Sequence, residues 1–208
     1  MRRNHLLPFA ALLIFFALGW VESPKVLTLL HRGPVHVLAH AQWASAAGTV
    51  AQQAGQADLI VRARVHKVFR PKVFERRLAN PSDRLPAKFD VLPFTYVLLK
   101  VETVYRGEVE GNLRLVQTGG KVEATANHPA LEIALYDDPL LVEGSEHIFF
   151  LKNISGDPML APHHKVYRII NSAGRYDIQG GTVVSHSDIP GQRPLLLKDL
   201  DAQIRLSL

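Results

Sequence analysis

None of the 208 residues is cysteine. That absence removes disulfide staples, a thiol nucleophile, thiolate zinc sites and a cysteine-linked lipid anchor. Whatever the chain folds into must be held by packing alone, which a body of about 150 residues can supply. The constraint matters because the chain opens like an exported one. Arg2 and Arg3 precede an apolar run at residues 6–21, broken only by Pro8 and Gly19. A short positive head before such a stretch is the physical design of a secretory signal. The run falls just short of the roughly 20 residues that span a bilayer comfortably. Small-residue cleavage patterns stand at Ala17-Leu18-Gly19 and, far from the apolar run, at Ala39-His40-Ala41. A buried helix of a cytosolic domain is the competing reading, and the lack of a polar face argues against it. The expectation is an extracytoplasmic protein, secreted or anchored by residues 6–21.

The net charge of +5 resides partly in this leader. From Gln42 onward, 20 Lys/Arg face 18 Asp/Glu, a net of +2, so bulk charge gives no argument for nucleic acid. Residues 22–42 carry Pro24, Pro34 and the histidines His31, His36 and His40. Their spacing within a proline-containing stretch fixes no metal site, and the segment reads as a linker.

The body then shows its periods. Trp43, Ala47, Val50, Ala51 and Ala54 fall at helical spacing, with Gly55 as a stop. Leu59, Val61, Ala63 and Val65 alternate with more polar neighbours as in a half-buried strand, and a slip in phase near Lys67 predicts a bulge. Residues 70–93 hold four prolines and read as a long loop with one short extension. Further strands are expected at residues 96–105, 113–117, 147–151, 167–170, 175–178 and 182–186. Within 147–151, Ile148 to Leu151 run apolar without a break, as for a central strand covered on both faces. Leu197, Leu200 and Ile204 form a closing helical stripe. The fold class is mainly β: a small five-stranded barrel with a short N-terminal and a short C-terminal helix, preceded by a hydrophobic leader. The expected organisation is leader 1–21, linker 22–42, barrel 43–188 and helical extension 189–208.

Several short motifs carry a resemblance. Ala57-Asp58-Leu59-Ile60-Val61, then Phe94-Thr95-Tyr96-Val97 with Val101-Glu102-Thr103-Val104-Tyr105-Arg106-Gly107, then Gly119-Gly120, then Val142-Glu143-Gly144 leading into Ile148-Phe149-Phe150-Leu151, follow one another in order. The series, over residues 57–185, resembles exported bacterial proteins with a netrin-like oligonucleotide/oligosaccharide-binding (OB) fold, the barrel of tissue metalloproteinase inhibitors. The resemblance implies that barrel and an extracytoplasmic compartment. The animal inhibitors place an N-terminal cysteine on their target's zinc, and this chain has none, so that mechanism does not carry over. Modulation of a secreted hydrolase by another route is the alternative function the resemblance supplies.

The densest chemical feature is a basic run: Arg62, Arg64, Lys67, Arg70, Lys72, Arg76 and Arg77, opposed only by Glu75, for a net of +6. In an OB barrel the first inter-strand loop is a ligand-binding element. Arg62, Arg64, Arg70, Lys72, Arg76 and Arg77 are therefore the candidate ligand-binding residues, for an anionic envelope polymer, a lipid surface or an acidic protein. Nucleic acid is not expected, given the compartment and the sparse stacking aromatics. The competing reading is a solvated strand face. His163 and His164 are adjacent and would point to opposite faces of a strand, and no HExxH spacing occurs. Asp137-Asp138 with Glu132 and Glu143 lacks calcium-loop spacing and reads as a polar turn. Asn153-Ile154-Ser155 fits the glycosylation pattern, a short and unspecific one. No GxSxG elbow is present. No catalytic residue, metal or cofactor is assigned, and the leading expectation is a non-enzymatic binding domain.

Overall fold

A computed structural model describes residues 35–39, 48–77, 89–125, 129–161, 164–185 and 194–208. The leader, Trp43, His31, His40, His128, His163 and His186 lie outside these described residues. In chain order the strands are β1 (Val35–Ala39), β2 (Leu59–Val68), β3 (Lys72–Arg77), β4 (Phe89–Arg106), β5 (Leu113–Thr118), β6 (Gly120–Val122), β7 (Leu131–Leu135), β8 (Glu146–Asn153), β9 (Tyr167–Ile169), β10 (Arg175–Gln179), β11 (Thr182–Ser185) and β12 (Leu195–Leu196). The two α-helices among the described residues are α1 (Val50–Gln56) and α2 (Leu197–Leu206).

Five strands close into a ring. β2 pairs antiparallel with β4 and β8, β4 with β5, and β8 with β9, while a parallel contact, Leu115 opposite Tyr167, joins β5 to β9. Around the ring the order is first, second, third, fifth, fourth, the Greek-key closure of an OB-like barrel. Leu59, Val61, Ala63, Val65, Val97, Leu99, Leu115, Phe149 and Leu151 fill its interior. The expected bulge is present: the β2–β4 register shifts between Val65 and Lys67. As the apolar run predicted, β8 is buried on both faces, for Ile148 and Phe150 enter a second core with Ala54, Ile60, Tyr176, Leu200 and Ile204. There α1 and α2 cover the outside of β2 and β8. Thr49 and Gln52 cap α1 reciprocally, Thr49 Oγ1 accepting from Gln52 N and Gln52 Oε1 accepting from Thr49 N. The Tyr105 hydroxyl donates to Asp201 on α2. Burial, reinforced by that carboxylate, pushes the Tyr105 pKa far above its usual range.

Several strands depart from the sequence expectations, among them β12 within the expected helical extension. The proline-rich stretch is less of a loop than expected, because β3 pairs with the first part of β4, Lys72 opposite Phe94 through Arg77 opposite Phe89. Pro93 lies within that ladder. Its carbonyl accepts from Gly119 N on the β5 side, so its missing N–H faces the break between β5 and β6 and costs no β3 bond. Residues 120–135 contain β6 and β7, where no strand was expected, and part of the expected linker, Val35–Ala39, pairs in parallel with β7 as β1. Segments of three to five residues are too short for their alternation to stand out.

Gly119 makes the β5–β6 corner possible. Its φ is +112°, and a Cβ there would lie 2.7 Å from the Ile133 carbonyl oxygen on β7. Gly111, at φ +70°, has no atom within 4 Å of a built Cβ. Gly119→Ala is expected to lower unfolding free energy by about 2–4 kcal/mol and Gly111→Ala by about 1 kcal/mol. Urea denaturation of the pair measures the difference, and equal losses would contradict the corner's role.

Candidate anion-binding face

The outer wall of β2, β4 and β5 carries Arg62, Arg64 and Lys67 of the basic run, with Lys72 of β3 reaching Tyr96 on it, and the structure sorts the wall's charges into two groups. Arg62 and Arg64 are consumed in pairs. Arg62 reaches Glu146 through Nε and Nη2 and lies 3.6 Å from Glu102 Oε2. Arg64 Nη2 is 3.0 Å from Glu146 Oε2, and its Nε is 3.3 Å from Glu102 Oε1. Burial opposes the Arg62 charge, but the hydrogen bond and attraction from Glu146, with Glu102 and Tyr105 adding, raise its pKa overall. This quartet is neutral, so Arg62 and Arg64 do not contribute free positive charge to a ligand.

The second group is unneutralised. Among the described residues, no carboxylate pairs with Lys67, Arg70, Lys72, Lys100 or Arg114. Lys67 is in register with Leu98, and Leu98 with Arg114. The two cations therefore flank one leucine on the same side of the wall, roughly 10 Å apart at two strand spacings. Lys100 and Tyr96 share that side, two residues either way along β4. Lys72 Nζ stands 5.0 Å from the centre of the Tyr96 ring and Lys67 Nζ 5.3 Å from that of Phe69, whose side chain is 40% exposed. Arg76 and Arg77 sit at the far end of β3, in register with Asp90 and Phe89; their side chains lie outside the described residues. Lys100 and Arg114 were absent from the sequence-based candidate set. They are distant in sequence from the basic run, and only strand register brings them beside it.

The wall has a second half. Phe94 and Val116, farther along the same side, are buried beneath Phe74 of β3 and Leu160, Ala161 and Val166 of the β8–β9 connection. The Tyr96 hydroxyl donates to the Leu160 carbonyl at 2.7 Å. The connections after the first and fourth barrel strands thus fold over one end of the wall and leave the cationic end open.

One end of the barrel interior is closed by buried polar groups. Arg175 Nη1 donates to Asp138 Oδ1 at 3.0 Å and to the Pro139 carbonyl at 2.7 Å. Gln117 Nε2 donates to the same Asp138 oxygen at 2.9 Å, while Gln117 Oε1 accepts from Leu141 N. Arg175 Nε also lies 3.2 Å from Asp177 Oδ1. The Asp137-Asp138 turn expected from sequence is therefore real but buried. Beside it, His147 Nδ1 is 2.8 Å from Asp177 Oδ1 and His147 Nε2 is 2.7 Å from Ser145 Oγ. These three residues have the connectivity of a nucleophile, base and orienting acid. The surroundings differ from such a site. Ser145 Oγ lies 2.5 Å from the Val142 carbonyl as its donor, and the nearby N–H groups of Gly144 and Ser145 already bond Val65 and Val142 carbonyls, leaving neither for an oxyanion.

Among the described residues no group of three or more His, Asp or Glu side chains forms a metal site. His36 pairs with Glu132 at 3.2 Å. Asn153 Oδ1 accepts from the Ser155 backbone N and hydroxyl, fastening the turn after β8. No described helix is long and apolar enough to cross a membrane.

The fold and this wall define the protein as an OB-like β-barrel domain with an open cationic–aromatic face. No protein family, curated protein or solved structure compared with the chain matches it.

Removing the guanidinium from the buried polar end should be costly, because Asp138 would remain buried without the counter-charge of Arg175. Arg175→Leu is expected to destabilise the domain by about 3–5 kcal/mol in urea denaturation, and a loss below about 1 kcal/mol would contradict this account of the network.

Proposed function

We propose that the chain is a non-enzymatic binding domain working outside the cytoplasm, and that its ligand is an anionic polymer of the cell envelope. The reading rests on one observation: Lys67, Lys72, Lys100 and Arg114 share a wall with Tyr96, Leu98 and Phe69 while lacking carboxylate partners among the described residues. Cations left unpaired at a folded surface attract anions over roughly one Debye length, about 8 Å at physiological salt. Exposed ring edges and Leu98 add apolar contact to the backbone of a chain-like ligand, which a point ion would not use. The wall also lies between the connections that follow the first and fourth barrel strands, where OB-like barrels carry oligomeric ligands; that part of the support is analogy of fold. The leader supplies the compartment, and β1 bears on how it is processed. A cut near Gly19 leaves Val35–Ala39 on β7, whereas a cut after Ala41 would delete that strand.

The test is retention on immobilised phosphodiester-rich wall polymer. Lys67→Glu, Lys100→Glu and Arg114→Glu combined are expected to lower affinity at least about tenfold while the far-UV CD spectrum and denaturation midpoint stay put. Arg62→Gln with Glu146→Gln preserves net charge and should retain polymer like the parent. Affinity of the parent should also fall steeply with salt, by roughly one logarithmic unit of slope per phosphate contacted. Equal retention of parent and triple variant overturns the proposal. Retention on vesicles of anionic lipid in place of the polymer would assign the face to a membrane surface instead.

A further inference from the structure

The contacts of His147 with Ser145 and Asp177 do not fit a neutral ring. Ser145 has one hydroxyl proton. With that proton on the Val142 carbonyl at 2.5 Å, Ser145 Oγ offers only lone pairs to His147 Nε2 at 2.7 Å. Nε2 must then be the donor. On the other side of the ring, Nδ1 meets Asp177 Oδ1 at 2.8 Å, and a carboxylate that also lies 3.2 Å from Arg175 Nε is an acceptor. Nδ1 must be a donor too. We infer that His147 is held as an imidazolium, a proton-dependent latch between the turn at 142–145 and β10. The inference is independent of the ligand-binding proposal.

What the latch holds is the attachment of that turn to β2. Val65 N donates to the Ser145 carbonyl and Gly144 N to the Val65 carbonyl, each at 2.8 Å. Glu143 Oε1 accepts from Val68 N at 2.8 Å, and Arg64 Nη1 donates to the Gly144 carbonyl at 3.2 Å. The turn thus spans the β2 bulge. Among the described residues, the charged groups placed near the ring include Asp177 and Arg175 on β10 and Asp138 on the loop before β8, which reaches Arg175. β2 presents the uncharged Ala63 in register with His147, and the Arg62–Glu146 pair lies on the opposite side of the sheet. The ring is 5.2 Å from that of Phe149 and its side chain is 5% exposed.

The expected pH dependence follows from where the proton sits. Below about pH 6.5 an unfolded histidine is itself protonated, both states carry the proton, and the latch contributes fully. As pH rises the unfolded chain releases its proton first, so stability falls until folded His147 releases its own.

The test is ring-nitrogen NMR of the folded protein labelled with ¹⁵N-histidine at pH about 7.5, well above the free-histidine value. His147 is expected to show two slowly exchanging ring N–H signals, identified by their disappearance in His147→Gln or, should that variant not fold, by through-bond correlation in the parent. Ser145→Ala removes the acceptor of Nε2–H and is expected to shift the loss of the second proton about one pH unit lower. Denaturation midpoints should decline between neutral and mildly alkaline pH in the parent and be flatter in His147→Gln. A single ring proton on Nδ1, with Nε2 accepting from Ser145, overturns the latch and restores the arrangement of a base beside a nucleophile.

Discussion

Everything in the domain depends on β8 being buried on both faces. One edge pairs along its length with β2, while the other is shared, β10 taking residues 147–149 and β9 taking residues 151–153. The division lets one strand both close the barrel and begin the outer sheet of β10, β11 and β12. Phe149 and Leu151 enter the barrel while Ile148 and Phe150 enter the layer beneath the helices, and all four have 0% exposure. Burying each contributes about 2 kcal/mol or more. In a chain with no cysteine, such packing takes the place of covalent staples.

The same strand explains why two neighbouring polar residues behave so differently. Glu146 projects to the outer wall, 15% exposed, and neutralises Arg62 and Arg64. His147, one residue on, projects inward to the buried network of Asp177, Arg175 and Asp138. Alternation along a strand is enough to separate a surface ion cluster from an interior one. The interior cluster is held by hydrogen bonds and ion pairs that converge from β5, β8, β10 and the loop at 137–141, so it ties together segments far apart in sequence. An apolar replacement of comparable shape can be as stable as a buried ion cluster; what the polar version supplies is a directional demand on where that loop sits.

Much of the barrel was legible because its strands are long enough for period two to show. β2, the central part of β4, β5, β8, β10 and β11 fell where alternation and glycine turns placed them, and the bulge near Lys67 was visible as a slip of phase. The layout of residues 121–139 was not legible, since β6 has three residues and β7 five. Proline was read too strictly as a strand breaker around Pro93. Whether a proline harms a ladder depends on which side its missing N–H faces, and that is a property of the neighbours. The candidate site was legible in part. A run of like charges is visible in a sequence, but whether each member is neutralised depends on register: Glu102 and Glu146 lie 40 and 84 residues from Arg62. The same register brings Lys100 and Arg114 to the open wall.

That sorting changes what the net charge of the basic run means. The formal excess at residues 62–77 includes two arginines that are electrically closed, whereas β4 and β5 add two cations that no local count would include. The resulting field belongs to a surface, not to a segment. Its position is set by the two connections that cover Phe94 and Val116 at one end, because they bury the apolar part of the wall and leave exposed the part that tolerates water. Lysines resting on Tyr96 and Phe69 keep their charge while their stems cover the rings. Such an arrangement covers part of the apolar surface and leaves the charge open. A partner that brought anions along a chain would meet Lys67 and Arg114 across the strands and Lys100 along β4, so selectivity would follow from the spacing of its charges more than from their number.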